Sequence, residues 1–401
     1  EAGKAGRLWQ SRDFVAGEQG LDLRGKAAGP AVVGVVKRLD ADAVARQDEA
    51  APAPDGIAVL QYTGGTTGVS KGAMLSHGNI VANMQQAGVL FSTYDFREGE
   101  ETLLLPLPLY HIYAFNACLG MLARGGHTVL VPNPRDLKSL VAAFRNSGCT
   151  GFAGLNTLFV ALCNDADFRA VDFSRLKLTM SGGMALTMTA ARRWQEVTGV
   201  EIVEGYGMSE TSPVISVNPV NANRLGTIGI AVPSTEVRIV DDNGNEVAAG
   251  EPGELVVRGP QVMLGYWNQP GETAKVLSPD GWLHTGDVAV VTPEGYLKIV
   301  DRKKDMVVVS GFNVYPNEIE EVVVAHPDVL ECAAVGIPDE RTGEALRVFV
   351  VPRHAGLTPE ALREFCRENL TGYKMPREFV IRAELPKSNV GKILRRELRD
   401  K

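Results

Sequence analysis

Tyr62-Thr63-Gly64-Gly65-Thr66-Thr67-Gly68-Val69-Ser70-Lys71-Gly72 gathers glycines, hydroxyls and one lysine into a single loop. Backbone N–H groups freed by glycine, with Thr hydroxyls beside them, form a concave anion cradle. Lys71 adds a point charge suited to phosphate. The apolar run before it, residues 57–60, reads as a strand. Ser76-His77-Gly78-Asn79 after it reads as the start of a helix over residues 80–90. The expected geometry is therefore a phosphate loop between strand and helix. Neither standard fingerprint fits. Walker A requires Gly-x4-Gly-Lys-Ser/Thr, and Val69 stands where its second glycine belongs; the dinucleotide pattern requires Gly-x-Gly, and Thr66 breaks it. Two readings stay open: a nucleotide loop of a third kind, and an ordinary glycine-rich turn.

Outward from the loop, the chain alternates strand-like and helix-like segments. Strands are expected at 102–107, 128–131, 176–180 and 201–204, with helices at 136–146 and 187–197, an α/β pattern with largely parallel strands. Beyond residue 226 short strands are punctuated by hairpin turns at 242–245 and 292–295, giving a β-rich subdomain. From residue 306 a small α+β domain follows, with strands at 306–309, 332–335 and 346–351 and helices from about residue 316 and over 358–369. A strand is also expected at 31–36, before a Pro- and Ala-rich linker. At 401 residues, two or three domains are expected. A composition of 45% hydrophobic and 22% charged residues is that of a globular protein, and a net charge of −7 argues against a nucleic-acid partner. The five cysteines are scattered and include no Cys-x-x-Cys pair, which reads as reduced, buried thiols in a cytosolic protein.

Five further constellations carry chemistry, each beside a plainer reading. In Gly205-Tyr206-Gly207-Met208-Ser209-Glu210, the glycines admit a flat ligand, Tyr206 offers a stacking face, and Glu210 could hold Mg2+; the alternative is a strand-end turn. In the run Gly281 to Asp287, Asp287 could accept both hydroxyls of a ribose, or simply be a solvated turn residue, with His284 structural. Asp301-Arg302-Lys303-Lys304-Asp305 reads as a solvated linker or as a hinge. Lys392 follows Gly391 on a loop before a basic helix, either surface charge or one lysine reaching a distant site. His111 lies among Tyr110, Ile112 and Tyr113, either a core histidine or a catalytic one.

Together, in this order, these motifs resemble the adenylate-forming enzymes: acyl-CoA synthetases, adenylation domains and firefly luciferase. The resemblance runs from residue 57 to the C-terminus. Residues 60–77, 216–219, 260–267, 301–320 and 386–398 look most like the members that activate long-chain fatty acids. It implies a large, partial, multi-layer α/β domain (57–300, β-rich over 226–300), a hinge (301–305) and a small mobile α+β domain (306–401). Residues 1–56 would be a remnant of an N-terminal subdomain with its linker. It also implies a two-step reaction. A long-chain fatty acid would attack the α-phosphorus of ATP, with Mg2+, giving acyl-AMP; the coenzyme A thiol would then take the acyl group. Thr63, Gly64, Gly65, Thr66, Thr67, Gly68 and Lys71 would hold the β- and γ-phosphates. Gly182, Gly183 and Met184, with Gly205, Tyr206, Gly207, Met208 and Ser209, would line the adenine and acyl pocket. Glu210 would bind Mg2+, Asp287 and Arg302 the ribose. Lys392 would bridge carboxylate and α-phosphate. Between steps the small domain would turn about Lys304, withdrawing Lys392 and bringing Ser310, Gly311 and Phe312 to the coenzyme A tunnel. His111 would sit near the reacting carbonyl, and the segment Phe152 to Leu162 would help line the fatty-acid tunnel.

Two departures from the family pattern stand out. Ser209 replaces the usual Thr and keeps the hydroxyl. Only 56 residues precede Ile57 where the family has a substantial subdomain, so part of the large sheet is expected to be missing, with open edges and exposed apolar surface. The competing readings are an acyl-AMP ligase that loads a carrier protein, and an incapacitated fragment that only binds nucleotide. The expected setting is the cytoplasm, with peripheral membrane contact and a homodimer both compatible with it.

Overall fold

Four-residue apolar runs become the strands of a central sheet, and the amphipathic segments between them become its helices. The structure is a computed structural model that describes residues 34–36, 53–63, 70–93, 95–388 and 391–399. The chain divides into two compact units, Glu1–Glu236 with Arg258–Gly281, and Val237–Val257 with Trp282–Lys401.

In the first unit, β4 (Thr102–Leu105), β5 (His127–Leu130), β6 (Gly151–Gly154), β7 (Leu178–Ser181) and β8 (Ile202–Gly207) run parallel in the order β5-β4-β6-β7-β8. This matches the alternating pattern, since parallel neighbours need a crossover between them. Antiparallel strands extend both margins: β1 (Gly34–Val36) on β5, and β9 (Val214–Val217) then β10 (Ile230–Ala231) beyond β8. Residues 31–33 of the expected first strand lie outside the described residues. The connecting helices include α1 (His77–Thr93), α2 (Ile112–Ala123), α3 (Leu137–Ser147), α4 (Asn156–Asn164) and α5 (Met188–Thr198). Their ends follow local chemistry. Asp136 and Thr187 accept backbone N–H bonds as N-caps of α3 and α5, and the left-handed Gly148 and Gly199 stop them.

The core of this unit is aromatic. Phe144, Phe152, Phe159 and Phe168 surround Trp194, whose ring stacks on Phe152 at 5.3 Å while its Nε1 donates to Thr179 Oγ1 at 3.1 Å. Phe152, Phe159 and Leu162 are fully buried here. This corrects the expectation that they line a tunnel: they face the closed core, because β6 and α4 turn them toward α3 and α5.

Residues 71–76 are the second correction. They do not lead directly into a helix but form β3 (Lys71–Ser76), antiparallel to β2 (Ile57–Thr63), with Thr63 opposite Lys71. Thr63 and Lys71, which flank the expected phosphate loop, are therefore facing ends of a strand pair. Residues distant in sequence bond the other edge of β3. Trp267 N donates to Gly72 O, Met74 N to Gly265 O and Leu264 N to Met74 O, so β3 is bonded along both edges. Ala73 and Leu75 alternate inward, fully buried. The helix begins only where Ser76 and Asn79 cap it reciprocally, Ser76 N to Asn79 Oδ1 at 2.9 Å and Asn79 N to Ser76 Oγ at 3.1 Å. On β2, Ile57, Leu60 and Tyr62 are exposed.

The second unit has a four-stranded antiparallel sheet of β11 (Glu236–Val240), β12 (Gly253–Arg258), β13 (Leu283–Val291) and β14 (Leu297–Arg302). Its turns fall where expected: Gly244 N bonds Asp241 O, and Thr292 N bonds Tyr296 O. A second sheet holds β15 (Val307–Val309), β16 (Phe312–Val314), β17 (Val329–Asp339), β18 (Gly343–Pro352) and β19 (Glu378–Ile381). It packs with the helices Pro316–Val324 and Pro359–Asn369 around Ile319, Val323, Val348, Val350 and Leu362. All five cysteines are buried free thiols, as their scatter implied. Among the described residues no helix is long and apolar enough to cross a membrane.

Candidate active site

The residues expected at the phosphates lie at β3 in the first unit. Gly64, Gly65, Thr66, Thr67 and Gly68 lie outside the described residues. The loop's two posts are described. Thr63 Oγ1 donates to Lys71 O at 3.4 Å, and Lys71 starts the doubly bonded strand. The Lys71 ammonium pairs with Glu272, on the short helix Pro270–Val276, and lies 5.1 Å over the Tyr266 ring. Glu272 also pairs with Lys275 one turn on. Hydrogen bonds from Lys275 and then Lys71 hold the Glu272 carboxyl down to about 2. The Tyr266 hydroxyl donates to Glu210 Oε1 at 2.7 Å, and burial beside that carboxylate pushes the phenol up. Glu210 itself is buried, on a 3-10 turn whose carbonyl accepts from Met263 N at 2.8 Å.

Around the ends of β7 and β8 lie the residues expected at the adenine and acyl pocket. Gly182, Gly183 and Met184 follow β7 directly, and Gly183 takes φ 81°, where glycine is favoured. A Cβ at Gly182 would meet the Tyr113 ring at 3.5 Å and Gly205 O at 3.6 Å, so the two glycine segments converge. Gly205, Tyr206 and Gly207 close β8. A Cβ at Gly207 would come within 1.9 Å of Pro213 O, so only glycine fits. Met208 N donates to Thr211 Oγ1 at 3.2 Å, fixing the turn that carries Ser209 and Glu210. His111 is the N-cap of α2, its Nδ1 accepting from Tyr113 N at 3.3 Å. Tyr113 in turn donates to Met180 O at 3.2 Å, tying the start of α2 to the end of β7.

In the second unit Asp287 on β13 stands opposite Arg302 on β14, with Arg302 Nε 3.5 Å from Asp287 Oδ1. Antiparallel register makes this pair, fifteen residues apart in sequence, direct neighbours. Lys392 belongs to the same group. Burial, and then the Arg302 guanidinium, push its ammonium down to about 8, with Asp287 acting the other way. Its loop is a tight one: Ser388 N donates to Lys392 O at 2.8 Å, Lys392 N to Ser388 Oγ at 3.2 Å, and Gly391 takes φ 83°. Three residues on, Arg395 pairs with Glu320 at 2.8 Å, Asp301 at 3.6 Å and Asp305 at 3.7 Å. Burial nevertheless raises the Asp301 carboxyl to about 6. Lys304 is exposed between those aspartates. Ser310 and Gly311 form the two-residue turn between β15 and β16, both with positive φ (52° and 84°), the requirement of a type I′ hairpin. That turn presents an exposed Phe312, stacked on Tyr373 with centroids 4.7 Å apart.

Sequence reasoning missed Tyr266, Glu272, Lys275 and Arg395, and gave Tyr113 no role of its own. Arg395 had a local signal, its place in the basic run after Lys392, and Lys275 lies one turn from its partner. Tyr266 and Glu272 act through partners far away in the chain.

Against known proteins, the model of the AMP-binding enzyme matches residues 12–267, and that of the AMP-binding enzyme C-terminal domain matches residues 318–392. The chain belongs to the AMP-binding enzyme family. Among AMP-binding enzymes it is 54% identical over 349 residues to a long-chain-fatty-acid–CoA ligase of Escherichia coli O157:H7, covering 86% of this chain and 62% of that protein. It is 42% identical to the Bacillus subtilis (strain 168) protein of the same name, over 85% of this chain and 61% of that one. This chain therefore spans less than two thirds of the length of these relatives. ATP-bound MatB from Rhodopseudomonas palustris superposes with a TM-score of 0.81 at 31% identity, over 90% of this chain and 71% of that one. The o-succinylbenzoate CoA synthetase of Bacillus subtilis, in complex with its acyl-adenylate intermediate, gives 0.77 at 27% identity, over 90% and 74%. The AMP-binding fold expected from the motifs is thus the fold observed.

Proposed function

We propose that this chain carries the machinery of an ATP- and Mg2+-dependent long-chain fatty-acid–CoA ligase. The observation that carries the reading is its 54% identity, over 86% of the chain, to proteins of that name. The fatty-acid carboxylate attacks the α-phosphorus of ATP and pyrophosphate leaves. The thiol of coenzyme A then attacks the acyl carbon, and AMP leaves with the bond electrons. Positioning and neutralisation of charge do most of the work in the first step.

The roles are those that the resemblance to the adenylate-forming enzymes implies, and the residue types suit them. Thr63 and Lys71, with the loop they flank, hold the β- and γ-phosphates. The glycines after β7 and within β8 let a flat base approach the backbone, and Tyr206 stacks on it. Asp287 and Arg302 hold the ribose. Lys392 bridges the two anions that must meet. Lys304 is the hinge, and Ser310, Gly311 and Phe312 meet the pantetheine arm. Glu210 suits Mg2+, which binds one or two carboxylates and takes its remaining oxygens from substrate phosphates and water. The metal, when bound, neutralises the charge developing on the phosphates. The buried Tyr266 hydroxyl keeps Glu210 oriented for it. We also propose a peripheral membrane contact, since a long-chain fatty acid partitions into bilayers.

The test is fatty-acid-dependent ATP–pyrophosphate exchange by the folded chain, followed by addition of coenzyme A. Exchange that rises with acyl length, and acyl-CoA release on adding the thiol, are expected. Exchange with short aromatic acids only would overturn the assignment, and none at all from a folded sample would favour the incapacitated fragment.

A further inference from the structure

Lys71 does not wait in water for a phosphate. Its ammonium, with only a fifth of the side chain exposed, already faces the Glu272 carboxylate. Several bonds fix this encounter. Trp267 N bonds Gly72 O at 2.8 Å, which sets the segment that leads into the short helix Pro270–Val276. Thr273 Oγ1 accepts from Tyr266 N at 2.9 Å and donates to Gln269 O at 3.0 Å, which pins the helix to that segment. Glu272 therefore stands beside the lysine by construction of the backbone. It has a second cation as well, Lys275, one turn further on.

We propose that Glu272 is a built-in competitor for the phosphate-binding lysine: it occupies Lys71 in the nucleotide-free chain, and yields it to the triphosphate while keeping its pairing with Lys275. The inference rests on reading Lys71 as a phosphate lysine. Two partners for one carboxylate make the exchange inexpensive. When phosphate takes Lys71, Glu272 keeps Lys275 and is not left as a bare anion beside the triphosphate. The apparent affinity for any phosphate ligand is lowered by the fraction of chains in which Lys71 is occupied. Both side chains are partly exposed, so the ion pair is a weak one, and the effect on binding is about two- to fivefold.

The experiment is calorimetric binding of ATP, pyrophosphate and adenosine to the full chain and its variants at fixed Mg2+ and low salt. E272Q should tighten ATP and pyrophosphate about two- to fivefold and leave adenosine unchanged. K275Q should weaken both phosphate ligands, since Glu272 then has no second cation, and E272Q/K275Q should lose that weakening. A merely structural role for the helix would move adenosine too, and would not give opposite signs at positions 272 and 275. Weaker or unchanged phosphate binding in E272Q, with K71A still damaging it, would overturn this inference alone. If K71A binds ATP as well as the unsubstituted chain does, or the unsubstituted chain binds none, the phosphate role of Lys71 falls and this inference with it.

Discussion

Lys392 should take up a proton when nucleotide binds. In the free chain, burial and Arg302 hold its ammonium down to about 8. A phosphate anion beside it restores the charged form and returns the group toward the ordinary lysine value of about 10.4. A group with a pKa of about 8 is half protonated at pH 8, so binding should draw in about 0.5 proton per nucleotide there, about 0.9 at pH 9 and about 0.1 at pH 7. Titration calorimetry of Mg-ATP in buffer pairs of different ionisation enthalpy reads this number directly. K392Q should abolish the pH-dependent uptake. R302Q removes the second cause and should shift the rise to higher pH; D287N should shift it lower. The same depression has a linked effect on stability. The folded chain releases this proton near pH 8 and the unfolded chain near 10.4, so the unfolded state binds more protons between those values. Lys392 should therefore make the free chain more stable as pH rises through that window. Uptake at pH 8–9 that is absent, or equal in K392Q, would refute the placing of Lys392 against the phosphates.

Three other outcomes follow from packing and charge. G207A drives a Cβ to 1.9 Å from Pro213 O and should destabilise by about 1–3 kcal/mol or more, read as a lower denaturant midpoint; an unchanged midpoint would mean the β8 turn can move. Y266F removes the donor to buried Glu210, which should destabilise by about 1–3 kcal/mol and raise the Mg2+ needed for half-maximal exchange; an unchanged Mg2+ requirement would detach Glu210 from the metal. R395M leaves Asp301, Asp305 and Glu320 without their shared cation, a loss of about 3–5 kcal/mol at pH 8. That loss should shrink at pH 5, because Asp301, already raised to about 6, is then neutral; a loss independent of pH would refute the Asp301 contribution.

What the sequence carried was mostly local. The apolar runs that became β4, β5, β7 and β8, the helix starts at Asp136 and Thr187, and the turns at 242–245 and 292–295 are all decided by near neighbours, and all were readable; β6 was not. Residues 71–76 were not. Lys-Gly-Ala-Met-Leu-Ser has weak strand propensity, and its strand state comes from pairing with β2 together with backbone bonds to residues 264–267. Phe152 to Leu162 shows the complementary limit, since a run of apolar residues looks the same whether it faces a ligand or Trp194. At the candidate site, motif residues such as Asp287, Glu210 and Lys392 were visible by type. The residues that set their chemistry were not: Tyr266 meets Glu210 across 56 residues, and Glu272 meets Lys71 across 201.

The segment 263–267 bonds backbone to backbone in two directions, through Met263 to the carbonyl of Glu210 and through Leu264, Gly265 and Trp267 to the strand that begins at Lys71. It is a ruler whose graduations are peptide units. A single inserted residue would displace one charge against the other by about 3.3 Å, the rise of one strand residue, roughly the breadth of a phosphate oxygen contact. The spacing of Lys71 and Glu210 is thus written into residues 263–267, and not into the sequence next to either charge.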